Sequence, residues 1–168
     1  MVDVPSVSAV RIATAAPEDH PRIAELTVSV YVDGGLADQE YAVELADVPG
    51  RAERAELLVV RDGTDRLVGS VALVLDGDFG EVTESEEEAA VRMLVVDPTA
   101  QGRGIGELLM TECLRRARAA GKRRMVLSTS TAMTSAHRLY ERLGFSRLPE
   151  RDWTPAPGVD LIVYALDL

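Results

Sequence analysis

Apolar residues recur along the chain with two periods, and the changes between them mark out the elements. Glu56–Arg61 carries the unbroken run Leu57-Leu58-Val59-Val60, and Leu67–Leu75 carries Val71-Ala72-Leu73-Val74-Leu75. Both are of strand length. Asp62-Gly63-Thr64 lies between them as a turn, so the pair predicts a β-hairpin. A third long strand is predicted over Ala89–Val96, closed by Asp97-Pro98, with shorter strands over 8–13, Arg124–Leu127, Phe145–Arg147 and Asp160–Leu166.

Helical spacing appears in three places. Ile23, Leu26, Thr27 and Val30 share one face behind the start signal Pro17-Glu18-Asp19, and Asp33-Gly34-Gly35 ends that helix. Gly104–Ala120 places Ile105, Leu108, Leu109, Cys113 and Ala117 on one side and stops at Gly121. Thr131–Leu143 is a further helix, stopped by Gly144. Residues 37–54 read as helical without a strong apolar stripe, interrupted at Pro49-Gly50. Asp76–Gly80 and the Pro-rich stretch 149–158 read as loops. Early strands joined as hairpins, followed by strands connected through helices, predict an α/β fold: a mixed sheet with helices on its faces. No repeat or linker divides the 168 residues, so one domain over 1–168 is expected.

Composition narrows the function classes. Aromatics are only 4% of the chain, which disfavours a base-stacking surface. A net charge of −10 disfavours nucleic acid and anionic membranes and favours a cationic partner. The apolar runs are too short to span a bilayer, and Met1-Val2-Asp3-Val4-Pro5 does not resemble a secretion signal, so a cytoplasmic protein is expected. Cys113 is the only cysteine and the two histidines are far apart in sequence, so neither an intrachain disulfide nor a metal site is expected. The charge is uneven: residues 101–124 hold seven cations and two anions, and the remainder carries −15. An acidic chain with one basic segment suits a small anionic ligand.

That segment begins in a Gly-rich junction, Asp97-Pro98-Thr99-Ala100-Gln101-Gly102-Arg103-Gly104-Ile105-Gly106, where a buried strand runs into an amphipathic helix. Glycines let main-chain N–H groups approach a phosphate, and a helix N-terminus adds unpaired donors and partial positive charge. Together these make a pyrophosphate site, although a Gly-rich junction can equally be a structural turn. The dinucleotide fingerprint fails because Glu107 occupies its last glycine position, and the P-loop fails because no Lys-Ser or Lys-Thr follows.

Gln101-Gly102-Arg103-Gly104-Ile105-Gly106 matches the Q/R-x-x-G-x-G/A signature of the GNAT superfamily of N-acetyltransferases. Arg92-Met93-Leu94-Val95-Val96-Asp97-Pro98 resembles that family's fourth strand, and Ala136-His137-Arg138-Leu139-Tyr140-Glu141-Arg142-Leu143-Gly144-Phe145 resembles its later A-x-x-L-Y-x-x-x-G-F motif. The detailed match covers residues 90–146; the rest agrees only in element order. The resemblance implies a mostly antiparallel sheet with splayed fourth and fifth strands and acetyl-CoA as co-substrate, without a metal. The pantetheine arm would lie in the gap, paired with the backbone of Leu94 and Val96. The amides of Gln101, Gly102, Arg103, Gly104, Ile105 and Gly106 would hold the pyrophosphate, and Arg103 could meet another phosphate. A main-chain N–H near Val95 or Val96 would donate to the oxyanion.

The resemblance also makes Tyr140 the candidate general acid for the departing thiolate; a structural alternative is that its ring only packs beside the coenzyme. Many relatives carry a glutamate where this chain has Ala90, so the base is sought just upstream, with Glu88 the candidate beside Glu86 and Glu87. His137 fits packing or capping better than catalysis, Met133 replaces a cofactor-contacting Asn of some relatives, and Cys113 is expected to be buried and inert. Tyr31, Asp33, Tyr41 and Trp153 are candidates for the acceptor pocket. The function implied is acetyl transfer to a primary amine on a small molecule or peptide, in a protein that could be a homodimer. A non-catalytic acyl-CoA sensor is the alternative from another class.

Overall fold

The computed structural model describes residues 9–77 and 83–168. Expectations that fall on Met1–Pro5, on Ser8 in the first strand and on Asp78-Phe79-Gly80 in the loop lie outside those residues. The described strands are β1 (Arg11–Thr14), β2 (Glu56–Arg61), β3 (Leu67–Val74), β4 (Glu88–Val96), β5 (Arg124–Ser130), β6 (Ser146–Arg147), β7 (Trp153–Ala156) and β8 (Val159–Asp167). The helices are α1 (His20–Val28), α2 (Gln39–Ala46), α3 (Val48–Ala52), α4 (Ile105–Ala119) and α5 (Thr134–Arg142).

The strands form one sheet in the order β1-β2-β3-β4-β5-β8-β6, with β7 also on β8. Every pairing is antiparallel except β4 with β5. The unbroken apolar runs follow from burial on both faces. In β2, Leu58 and Val60 join Ile105, Leu109 and Cys113 of α4, whereas Leu57 and Val59 join Ile23 and Leu26 of α1. Each side chain points opposite to its neighbour, so a strand covered by helices on both sides needs apolar residues throughout.

Three expectations need correction. Pro49-Gly50 does not break a helix. The break is at Asp47, whose side chain accepts from the Gly50 amide at 3.1 Å and caps α3, with Pro49 in its first turn where a missing N–H costs nothing. The stretch 149–158 is not simply a loop. Trp153–Ala156 forms β7, in register with β8 at Trp153↔Leu161 and Ala156↔Val159. Proline is tolerated there because β7 pairs only with β8. Finally, β5 runs on to Ser130 through Ser128 and Thr129, because β8 supplies partners along its whole length. No helix among the described residues is long and apolar enough to cross a membrane.

Candidate active site

The site starts from a defect in β4. Its register with β3 runs Ala90↔Val74, Val91↔Leu73 and Arg92↔Ala72, then resumes at Val95↔Ser70. One extra residue is thus inserted in β4, and Met93 takes φ 53°, a conformation that costs a side-chain-bearing residue energy. Such a bulge bends the strand. On its other edge β4 pairs in parallel with β5 only at Glu88↔Arg124, Ala89↔Met125 and Ala90↔Val126. Beyond Ala90 the two strands part, although β4 continues to Val96 and β5 to Ser130. The second half of β4 therefore turns a backbone edge toward a gap.

Beyond the gap the chain is tightly anchored. The Asp97 N–H donates to the Val68 carbonyl at 2.8 Å. Its carboxylate accepts from the Thr99 amide and hydroxyl at 2.9 and 2.7 Å and from Arg22 and Arg66 at 2.7 and 2.9 Å. Burial alone would raise the Asp97 pKa. The Thr99 hydrogen bonds and the two guanidiniums outweigh it and hold the carboxyl below its usual range. From this post the chain turns through Gly102 and Gly104, at φ 79° and 76°, values that glycine alone adopts freely. Gly104 is the N-cap of α4 and has no side chain to cap the first turn, so that turn's amides face outward.

Residues far away in sequence position this helix end. A Cβ at Gly69 of β3 would sit 2.8 Å from Ile105 Cγ2 and 3.2 Å from Leu109 Cδ1. The bare glycine lets α4 seat on the sheet with its N-terminus at the end of β4. Gly106 has a different job from its neighbours: a Cβ there would press on Leu139 Cδ2 at 3.1 Å, so it lets α4 lie against α5.

Tyr140 on α5 is 5% exposed, with its ring 5.9 Å from Phe145 and 5.8 Å from Tyr164. Its hydroxyl has no hydrogen-bond partner among the described residues. Among the described residues no fully buried side-chain oxygen lacks a partner, so the hydroxyl keeps contact with open space. Burial, then the neighbouring Tyr31 and Tyr164, push its pKa well above the usual phenol value. Tyr31 lies in a π-helical turn, Ser29–Asp33, that extends α1. Burial and Tyr41 push the Tyr31 phenol up to about 12, against the charges of Arg92 and Arg51.

The sequence candidates divide clearly. Leu94 and Val96 pack toward the α4 side and Val95 toward the α1 side, all in the parted half of β4. Gln101, Gly102, Arg103 and Gly104 are exposed, the Ile105 side chain is buried, and all belong to the junction. Arg103 is the one cation of the basic segment at this end of α4. Arg115 and Arg116 are paired with Glu112, Arg123 with Glu87, and Arg124 with Asp167. Asp33 is exposed, and Trp153 is half-buried on β7.

Glu88 is not brought to the junction. It lies at the opposite end of β4, roughly 25 Å along the strand from Val96 at about 3.3 Å per residue. It accepts from Arg151 at 2.8 and 3.1 Å and from the Glu84 amide at 2.8 Å. Burial opposes its ionisation, but Arg151, the Glu84 amide and Arg124 hold its carboxyl below the usual range. A carboxylate so committed is a poor proton acceptor. Glu86 and Glu87 are exposed at the same end. His137 Nε2 is 2.9 Å from the Ser130 carbonyl and ties α5 to the end of β5. Met133 is met by the Thr129 hydroxyl at 3.7 Å. Cys113 is fully buried, with its thiol pushed up to about 12, which makes it unreactive. Among the described residues no cluster of three or more His, Cys, Asp or Glu could hold a metal ion.

Sequence reasoning missed Gly69, which leaves no signal that local pattern could reveal.

The chain matches the acetyltransferase (GNAT) family model over residues 20–145. It is 39% identical over 83 residues to a mycothiol acetyltransferase of Streptosporangium roseum, covering 49% of this chain and 24% of that protein. It is 32% identical over 102 residues to an IAA acetyltransferase of Azospirillum brasilense, covering 60% and 61%. The chain thus spans about a quarter of the length of that mycothiol acetyltransferase and three fifths of the IAA enzyme. Among solved structures, a GNAT-family acetyltransferase from Staphylococcus aureus superposes with a TM-score of 0.75 at 17% identity, covering 95% of this chain and 99% of that one. The Salmonella typhimurium protein yncA, solved with its cofactor acetyl-CoA, gives 0.69 at 22% identity, covering 95% and 94%. The mixed, mostly antiparallel sheet with helices on both faces is the fold of those structures.

Proposed function

The chain belongs to the acetyltransferase (GNAT) family, and from that premise we propose that it transfers an acetyl group from acetyl-CoA to a primary amine. The observation that carries this reading is the parting of β4 and β5 beyond Ala90, directly before an uncapped helix N-terminus. The pantetheine arm would add to the exposed edge of β4 at Leu94 and Val96, as an extra strand adds to a sheet. The amides from Gln101 to Gly106 would receive the pyrophosphate, where unpaired N–H groups and the helix dipole favour negative charge. Arg103 would add one cation at the same place.

In the transfer, the amine nitrogen attacks the thioester carbonyl carbon. A C–N bond forms, the C–S bond breaks, and the nitrogen's surplus proton leaves to water. A backbone N–H of β4 at Val95 or Val96 would stabilise the oxyanion, and Tyr140 would hand its phenolic proton to the departing sulfur. Its raised pKa keeps that proton in place at neutral pH. Glu88 has no step here: its ion pair with Arg151 makes it a structural residue that ties the 149–151 turn to β4.

A thiol-release assay with acetyl-CoA and a panel of primary amines tests this reading. Amine-dependent release of CoA is expected. Coenzyme binding with no release from any amine would instead favour a non-catalytic acyl-CoA binder.

A further inference from the structure

The open half of β4 is held by little main-chain pairing. It has lost β5 as a partner, and after the bulge only Val95 and Val96 rejoin β3, at Ser70 and Gly69. An edge that is to receive hydrogen bonds from a ligand must keep its position without them. Apolar packing supplies part of the support, since Val95 belongs to one cluster with Ile23 and Leu26 of α1. The rest comes from Asp97, which follows the strand directly.

Asp97 is 5% exposed, and its two carboxylate oxygens serve different elements. Oδ1 accepts from the Thr99 amide and hydroxyl, which fixes the turn Pro98–Ala100 that leads into Gly102 and the uncapped start of α4. Oδ2 accepts from Arg22 of α1 at 2.7 Å and from Arg66, just before β3, at 2.9 Å. Arg22 is itself fixed: its Nε donates to the Leu67 carbonyl at 3.3 Å, and Glu25 lies 3.3 Å from its Nη1. One side chain therefore joins α1, β3, the end of β4 and the Gly-rich junction. All its partners are donors, so both oxygens must accept. The amide of asparagine would turn an NH₂ group toward either Thr99 or the two guanidiniums. A turn cap alone needs less: at Asp38 one oxygen accepts from the Tyr41 amide.

We propose that Asp97 is a positioning residue of the transfer site, its two oxygens holding the open edge of β4 and the junction amides in the arrangement that receives acetyl-CoA. This rests on the acetyl-transfer reading above. Asp97 acts through the backbone and is assigned no contact with the reacting atoms. Oδ1 sets where the junction amides stand, so it bears on coenzyme binding. Oδ2 locks the end of β4 to α1 and β3, so it bears on the oxyanion amide at Val95 or Val96. Arg22 is the tie that carries this to α1.

The test measures CoA affinity by calorimetry, kcat by thiol release from acetyl-CoA with the most active amine of the panel, and urea midpoints. Asp97→Asn is expected to weaken CoA and to lower kcat about tenfold or more each, as a displacement near 1 Å can. Glu88→Gln is the control, a similarly buried carboxylate at the other end of β4 and also paired with guanidiniums. It is expected to lower the urea midpoint and to hold CoA affinity and kcat within about twofold. Thr99→Val removes the hydroxyl bond to Oδ1 and is expected to weaken CoA by a larger factor than it lowers kcat. Arg22→Met removes the α1 bond to Oδ2 and is expected to do the reverse. If Asp97→Asn does not fold, these two variants carry the comparison. Folded variants with a lowered midpoint but unchanged CoA affinity and kcat make Asp97 a clamp like Glu88, and overturn the proposal while acetyl transfer stands. If CoA binds but no amine releases thiol, the affinities decide: weakening in Asp97→Asn and not in Glu88→Gln upholds the proposal for coenzyme binding, and equal affinities reject it. A wild-type chain that takes up no CoA at millimolar concentration overturns the transfer reading and this proposal with it.

Discussion

The two ends of β4 are built on opposite principles. At its start, Glu88 to Ala90 are zipped to β5, and the Glu88 carboxylate is held by Arg151 and Arg124. At its far end the strand is bulged at Met93, released from β5 and followed by a helix turn with no capping side chain. Charged residues thus fix the end that is closed, and bare backbone faces the end that is open. A glutamate in an acidic run looks like chemistry in the sequence, yet here it is a clamp. In the proposed function the coenzyme is held by amide groups that every residue possesses, arranged where pairing has been withheld.

Substitutions can break this contrast, beginning with the largest effect. Tyr140→Phe removes the proposed proton donor at the open end. It is expected to lower kcat by about 10²–10⁴-fold, the usual range for a positioned acid, while CoA affinity by calorimetry changes less than about twofold. Unchanged turnover would leave the ring a packing role only. Gly104→Val forces a branched side chain to φ 76°, at a cost of about 1–3 kcal/mol in the loop. CoA affinity is expected to fall on the order of 10–100-fold, read by titration, with the far-ultraviolet circular dichroism of the fold retained.

Glu88→Gln acts at the closed end. It removes the ionised carboxylate that accepts twice from the Arg151 guanidinium, with Glu84 still 3.3 Å from that guanidinium, and is expected to cost on the order of 1–3 kcal/mol in urea unfolding. kcat per folded molecule should hold; a large drop in kcat at unchanged stability would restore Glu88 as a base. Acid should act on the same clamp and on Asp97. Both carboxyls titrate below their usual range when folded, so the unfolded chain takes up protons first. The stability they contribute is complete above unfolded values of about 4. It is lost as pH falls through the lower folded values. Urea midpoints should therefore be flat from neutral pH to about 5 and decline below about 4. Arg103→Ala should give the smallest change, a severalfold weakening of CoA that shrinks as salt is raised.

Much of the fold was legible locally. The unbroken runs in β2 and β3, with Asp62-Gly63-Thr64 between them, mark a hairpin of two strands, and the Gly-rich run from Gly102 to Gly106 marks the passage from β4 into α4. Where reading failed, the deciding interaction was distant. Pro49-Gly50 looked like a break because the Asp47 cap that absorbs it is a side-chain bond. Trp153–Ala156 looked like a loop because its strand character comes from β8. Glu88 looked available because its partner, Arg151, lies 63 positions away. Gly69 carries no local mark of the Ile105 side chain that packs against it from α4.

The most direct measurement is a CoA titration followed by amide resonances of the ¹⁵N-labelled protein. Saturable shifts confined chiefly to Leu94–Val96 and Gln101–Gly106, tracking one dissociation constant, are expected. Silence of those amides at millimolar CoA, or shifts centred on the Glu88 end of β4, would contradict the assignment of the coenzyme to unpaired backbone at the parted strands.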